Sequence, residues 1–294
     1  MNFRRATFSE KGEILKLLVL CFPGVWNTSD YFQRHLKLEN SFIAEEDGVI
    51  VGHVGLIRMR VSDGRGGVLV FDGVASVAVQ PQYRKRGIAV ALCRMAARWS
   101  LSGGGAALPL YTQFCRVYES CGWKKIPFIK PFVVSRKKKS RDFVAVRTMA
   151  NHLSVEEQQK VKGFYANGRD FYGKVLREKY GDVFDRDKIF HSEGFRFFIY
   201  DDGYVLLCHG VVAEIYTSKD RDHAFVADMI QQVLVDCGKN ELVLQLPFEF
   251  RSELESCGFQ CCETTADPFH QEVPMLLFGK ACSGIPAMPL ADKF

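Results

Sequence analysis

The chain has 294 residues, 47% of them hydrophobic and 25% charged, with a net charge of +5. That length accommodates one large domain or two of ordinary size, and the composition excludes a disordered or fibrous chain. So mild a charge, much of it in two short basic clusters, requires no surface devoted to nucleic acid.

The N-terminal stretch MNFRRATFSEKGEILKLLVLCF carries only a short apolar patch after acidic and basic positions. It lacks the layout of a secretory signal, and no segment approaches the ~18 apolar residues of a membrane span. A cytoplasmic chain with no membrane partner is expected. Within VGHVGL, His53 reads as a strand residue facing a neighbour. From Phe71 to Val79, small and β-branched residues bounded by Gly67 and Pro81 predict a largely buried strand. From Ile88 to Trp99, Val90, Ala91, Cys93, Met95, Ala96 and Ala97 give the pattern of a helix buried over much of its surface.

Between them lies QPQYRKRG. The first amides of a helix have no internal partner, and the helix dipole makes that end an anion site. Gly87 lets the backbone approach a ligand closely, and Arg84, Lys85 and Arg86 supply charge. The unit therefore reads as a phosphate site or, more plainly, as a solvated basic loop. It contains neither G-x-x-x-x-G-K-S/T nor G-x-G-x-x-G, which argues against a Walker loop and a dinucleotide fingerprint.

Leu110 to Trp123, LYTQFCRVYESCGW, reads as a second strand–loop–helix unit. Arg136 to Arg141, RKKKSR, reads as a solvated hairpin tip, followed by a closing strand over Asp142–Met149. A domain boundary is expected near Thr148 to Leu153. Ser154-Val-Glu-Glu157 is a capping box that opens a helical segment predicted to run to about Tyr180. Phe195–Gly210 predicts a hairpin across Asp202-Gly203. Ten cysteines would suit a disulfide or zinc scaffold, but there is no C-x-x-C pair. Cys257, Cys261 and Cys262 have no histidine before His270, while Cys21, Cys93 and Cys208 lie in apolar runs. Thiols that pack as small hydrophobes in a reducing compartment, with no metal, are expected.

The chain also repeats itself. With a shift of 136, Ala107–Trp123 falls on Val243–Phe259 with seven of 17 positions identical, ESCG among them. The same register lays Val90–Ser100 on Val226–Asp236 and Val74–Val79 on Gly210–Ile215. One long period implies two copies of one fold rather than a solenoid. The second copy has lost chemistry: RKRGIA falls on Asp220–Phe225, DRDHAF, and Tyr118 falls on Leu254. Aspartates would repel an anion there, and leucine transfers no proton.

The string Arg84-x-x-Gly87-x-Ala89, preceded by VAVQP, resembles the acetyl-CoA signature R/Q-x-x-G-x-G/A of the GNAT N-acetyltransferases. Tyr118, four residues before the glycine of a G-F/W pair, resembles that family's general acid for the departing thiolate. An active and a degenerate unit in one chain resemble the enhanced-intracellular-survival acetyltransferases, without their sterol-carrier-like third domain, so acceptor and assembly stay open. The resemblance implies an α/β (α+β) fold of two tandem GNAT-like domains, 1–149 and 150–294, each a mixed, mostly antiparallel sheet flanked by helices. It implies acetyl-CoA as cosubstrate, its pantetheine arm along Val77, Ala78 and Val79. Its pyrophosphate would lie on the amides of Arg84, Lys85, Arg86, Gly87, Ile88 and Ala89.

The acceptor is then an amine of a small molecule or peptide, no nucleic acid is expected, and a homo-oligomer is compatible. Relatives often carry a carboxylate base eleven residues before the signature, where this chain has Gly73. Asp72 is the neighbouring candidate if a bulge turns it; water, a carboxylate of the second unit or the terminal carboxylate of Phe294 are alternatives. The first helices, with Phe22, Trp26, Tyr31 and Phe32, are candidate lining of the acceptor pocket, or core aromatics. The alternative to an enzyme is a non-catalytic CoA-binding or ligand-sensing protein on the same fold.

Overall fold

The computed structural model describes residues 1–23, 36–125, 132–136, 148–150, 153–168, 172–175, 195–208, 210–218, 223–244, 248–263 and 273–279. The first part of the chain forms β1 (Asn2–Arg5), α1 (Lys11–Cys21), β2 (Ser41–Glu46), β3 (Val49–Asp63) and β4 (Val68–Val79). It continues through α2 (Ile88–Ser102), β5 (Ala107–Thr112), α3 (Cys115–Glu119) and β6 (Lys124–Lys125). Next come β7 (Phe132–Arg136), β8 (Thr148–Ala150), α4 (Val155–Asn167), β9 (Tyr172–Val175), β10 (Phe195–Tyr200) and β11 (Gly203–Cys208). The remainder is β12 (Val211–Thr217), α5 (His223–Asp236), β13 (Glu241–Leu244), α6 (Phe248–Ser256), β14 (Phe259–Glu263) and β15 (Val273–Phe278).

Two mixed sheets result. The first runs β1-β2-β3-β4-β5-β15-β6, with β9 added beside β3. The second runs β8-β10-β11-β12-β13-β7-β14. Every pairing is antiparallel except β4 with β5 and β12 with β13. The orders match position for position, so the sequence repeat is a structural repeat. Gly122 (φ 101) and Gly258 (φ 88) close the same left-handed turn after the two ESC triplets. In both copies the serine hydroxyl donates back to a carbonyl three residues earlier at 2.6 Å, Ser120 to Val117 and Ser256 to Glu253.

Each sheet is covered on both faces, and apolar periodicity explains which helix covers which. Ile88, Leu92 and Ala96 form one i, i+4 ridge of α2 and pack on Ala44, Val54, Leu56, Val74 and Leu108. On the other face Ile14, Leu17 and Leu18 of α1 meet Ile43, Ile50 and Ala78. In the second copy, Val226, Ile230 and Val233 of α5 cover one face. Val161 and Tyr165 of α4 cover the other.

Three strands cross the expected division near residue 149: β7 joins the second sheet, while β9 and β15 join the first. The exchange of β7 and β15 is reciprocal, each lying between the parallel pair and the last strand of the other copy's sheet. The strand that follows β5 in the first sheet is thus β15. Of the expected closing strand Asp142–Met149, Thr148 and Met149 open the second sheet, and the rest lies outside the described residues.

The capping box forms as predicted, Ser154 Oγ accepting from Glu157 N–H at 3.2 Å and Glu157 accepting from Ser154 N–H at 2.9 Å. The helix ends at Asn167, well short of Tyr180. Gly168 follows in extended backbone where a Cβ would meet the Phe164 carbonyl at 2.5 Å and the Tyr216 ring at 3.0 Å. The hairpin turn is Asp201-Asp202, one residue earlier than predicted, because Tyr200 pairs with Gly203.

Candidate active site

The site begins where two parallel strands part. Among the described residues β4 and β5 share register at Phe71 and Ala107 alone, and Ala106 N–H donates to Val70 O at 2.7 Å just below. From there β5 continues paired to β15 as far as Thr112, and β4 continues along β3 to Val79. The C-terminal halves of β4 and β5 therefore flank an opening, with strand amides and carbonyls along its edges.

The basic loop stands at the end of β4. Gly87 is the N-cap of α2 with φ 77, and a Cβ there would point into open space. A glycine cap offers no side-chain acceptor, so the first-turn amides of α2 are left for a ligand. Lys85 is also left-handed (φ 62) and its side chain is exposed. Arg84 is tied back to Val79 O through Nε at 3.1 Å. Arg86 makes a two-point ion pair with Glu46, both contacts 2.9 Å. Ile88 is core and Ala89 half-buried; Ala78 faces α1, while Val77 and Val79 lean on the α2 side.

Tyr118 lies on the other side, in α3 directly after β5. It is 8% exposed and packs edge-on against Trp123 at 6.2 Å between ring centres. Burial, reinforced by the Cys93 and Cys121 thiols, pushes its phenol above the ordinary value, and a hydrogen bond with Thr112 offsets this only in part. The group therefore holds its proton at neutral pH.

Asp72 is placed differently from its expected part. The strand is regular at Gly73, which pairs with Ile57, and the bulge comes later, opposite Val54. Asp72 consequently points to the α2 face, fully buried. Arg58 grips both carboxylate oxygens at 2.9 and 3.1 Å, and the Ser100 hydroxyl donates to one of them at 2.6 Å. Gly105 makes room for this cluster, since a Cβ there would stand 2.3 Å from Ser100 Oγ and 3.2 Å from Asp72. The carboxylate ties β3, β4 and α2 together where the opening begins.

His53, expected to be a strand residue facing a neighbour, faces two. Its ring is fully buried, with Nδ1 2.9 Å from Ser76 O and Nε2 3.1 Å from Ser41 Oγ. The signal available was a histidine between Gly52 and Gly55 in an otherwise apolar run. Phe22 caps the end of α1 and is half-buried against that helix's core; its neighbour Cys21 reaches Val79 O at 3.4 Å. Trp26, Tyr31 and Phe32 lie outside the described residues, as do Asp220 and Asp222 of the second copy. Leu254 is 1% exposed, a core residue where the first copy has Tyr118.

Residues 2–126 match the family model described as an acetyltransferase (GNAT) domain. No curated protein matches the sequence. Among solved structures, a GCN5-related N-acetyltransferase from Kribbella flavida superposes with TM-score 0.62 at 16% identity, covering 94% of this chain and 70% of its own. One from Anabaena variabilis gives 0.63 at 13% identity, over 94% and 72%. Eis1 from Mycobacterium abscessus gives 0.64 at 15% identity, over 95% and 74%. At such identities the likeness is one of fold, and it extends across both sheets. The family match, residues 2–126, thus falls on the part of the chain that holds the parted β4–β5 pair, the Gly87-capped helix and Tyr118.

Proposed function

We propose that this chain moves an acetyl group from acetyl-CoA to an amine of a small molecule or peptide, by direct attack on the thioester. The observation that carries the reading is the opening between β4 and β5, with the Gly87-capped helix at one side and Tyr118 at the other. The pyrophosphate fits the amides of residues 84–89, with Lys85 among the exposed cations of the loop, and the pantetheine amides extend the ladder along Val77–Val79.

The neutral amine adds to the thioester carbon, and charge builds on the carbonyl oxygen, where a β4 amide receives it. Collapse breaks the carbon–sulfur bond. Tyr118 donates its proton to the departing sulfur, and the proton lost by the amine nitrogen restores the phenol through water. The products are the amide and free CoA, with no net proton released. A phenol pushed above its ordinary ~10 suits a hydrogen bond to a thiolate better than complete early transfer. Asp72 has no part in this scheme, being committed to Arg58 and Ser100. Water or another carboxylate takes the amine proton.

Calorimetry should find one acetyl-CoA bound per chain, and a panel of amines should release CoA thiol. Gly87→Glu is expected to weaken acetyl-CoA binding about tenfold or more, since like charges ~4 Å apart repel by roughly 1–4 kcal/mol at a protein surface. Binding indifferent to that substitution would refute the site. Binding without turnover on any amine would favour the non-catalytic CoA-binding reading instead.

A further inference from the structure

We infer that His53 is a positioning residue for acetyl transfer, pinning the Ser76 carbonyl so that the next amide, Val77 N–H, is held toward the thioester oxygen. This role rests on the transfer reading above.

The argument starts from a backbone irregularity. Gly55 pairs with Ala75 and His53 with Ala78, so Ser76 and Val77 together oppose the single residue Val54. This is a β-bulge, and Ser76 in it has φ 53. A left-handed serine is strained, and strain of that kind persists only where the surroundings hold it. Among the described residues, Asp47, Ser76 and Lys85 are the non-glycine positions with positive φ. Asp47 belongs to the tight turn between β2 and β3; the other two stand on β4 and on the phosphate loop.

What holds Ser76 is the imidazole. A carbonyl cannot donate, so at 2.9 Å from Ser76 O the Nδ1 atom carries the proton. Nε2 is then an acceptor facing the Ser41 hydroxyl at 3.1 Å. The same hydroxyl also donates to Lys37 O at 3.0 Å, so its one proton is shared between that carbonyl and the ring. Burial pushes the His53 pKa down to about 4, so this neutral tautomer persists through the physiological range. The ring lies over Gly55, where a Cβ would be 3.3 Å from Cε1, and thus spans from β2 to β4 across the strand between them.

Peptide planarity converts this clamp into a direction. In a trans peptide the Val77 N–H points opposite to the Ser76 C=O. With that carbonyl fixed to the ring, the N–H faces away from His53, toward the side on which β4 and β5 part. The second copy supplies a control within the same molecule. Its β12 keeps a bulge at the equivalent place, Leu206 pairing with Glu214 and Leu207 with Val212. There Leu206 stands in the position of His53, and Val212, in that of Ser76, is not left-handed. The bulge belongs to the fold, whereas the clamp belongs to the copy that has Tyr118 and Gly87.

The test uses the whole chain. His53→Leu, the residue of the second copy, should lower kcat about 100-fold, the scale for a lost oxyanion donor. The KM and Kd for acetyl-CoA should stay within about threefold, as the phosphate loop is untouched. His53→Asn, whose amide can donate from near the Nδ1 position, should restore kcat to within about threefold of wild type. Ser41→Ala leaves the ring packed and should lower kcat about two- to tenfold, the worth of one neutral hydrogen bond; it keeps the test alive if the leucine variant does not fold. Nitrogen NMR of the wild type should show a neutral Nδ1–H imidazole unchanged from about pH 5 to 8. A folded His53→Leu chain with wild-type kcat, or an Nε2–H tautomer, overturns the clamp alone. A wild-type chain that binds no acetyl-CoA overturns the transfer reading, and this role with it.

Discussion

The first and second copies share nearly everything that makes the fold and little that makes the chemistry. Both have the same strand order, the same helix on each face, a bulge in the first strand of the parallel pair and a glycine turn after ESC. They part at Tyr118 against Leu254, His53 against Leu206, and Ser76 against Val212. In each pair the polar or strained member belongs to the first copy and an aliphatic one to the second, and Leu206, Val212 and Leu254 are all buried. Those positions of the second copy serve packing, which stabilises a sheet more cheaply than satisfied polar groups do. Architecture and activity are thus written in different residues of one repeat.

The comparison can be broken most sharply at the phenol. Tyr118→Phe keeps the ring and removes the proton, so kcat should fall on the order of 10²–10⁴-fold while acetyl-CoA affinity holds. Leu254→Tyr should rescue nothing and should cost about 1–3 kcal/mol of stability by overpacking a core position. A Tyr118→Phe enzyme within about threefold of wild type, with chemistry rate-limiting, would remove the tyrosine from the mechanism.

A second test separates stability from chemistry inside the first copy. Asp72→Asn should destabilise the chain by about 3–4 kcal/mol, within the range for breaking a buried pair, although Arg58 keeps 35% of its side chain in solvent. Its pH–kcat profile should match wild type if, as proposed, the carboxylate held by Arg58 and Ser100 takes no part as base. Loss of the acidic limb of that profile would return Asp72 to the reaction.

The mildest effect is a pH dependence of folding. The His53 pKa is about 4 in the folded chain against ~6.5 unfolded. Between those values the unfolded chain takes up a proton that the folded one refuses, so stability falls as pH drops from about 6.5 to 4. The loss assignable to His53 is at most about 3 kcal/mol. Denaturant midpoints of wild type and His53→Asn should converge as the pH drops through that window; parallel curves would mean the imidazole is not buried neutral.

Local chemistry was legible in the sequence, and long-range choice was not. The capping box at Ser154 and the two ESCG turns form as read, because each is settled within a few residues of chain. The helix after Ser154 was read too long because Asn167-Gly168 was not weighted as a stop. Asp72 could not be assigned from its neighbours: its partner Arg58 lies fourteen residues away and meets it only through the β3–β4 register. His53 looked ordinary because its partners, Ser41 and Ser76, come from two other strands. For β7 and β15, apolar alternation marks a strand but not the sheet it will enter, and here the entropically remote choice won.

The exchanged strands impose an order of events on a chain made from its N-terminus. Strand β5 forms one wall of the proposed acetyl-CoA opening, and its full-length partner is β15, whose residues follow it by more than a hundred and fifty positions. Until the ribosome has delivered that strand, β5 has an unpaired edge and the wall is incomplete, a period in which chaperone cover matters. A nascent chain that stops short of β15 thus carries every predicted cofactor residue while one wall of the proposed opening is still unpaired.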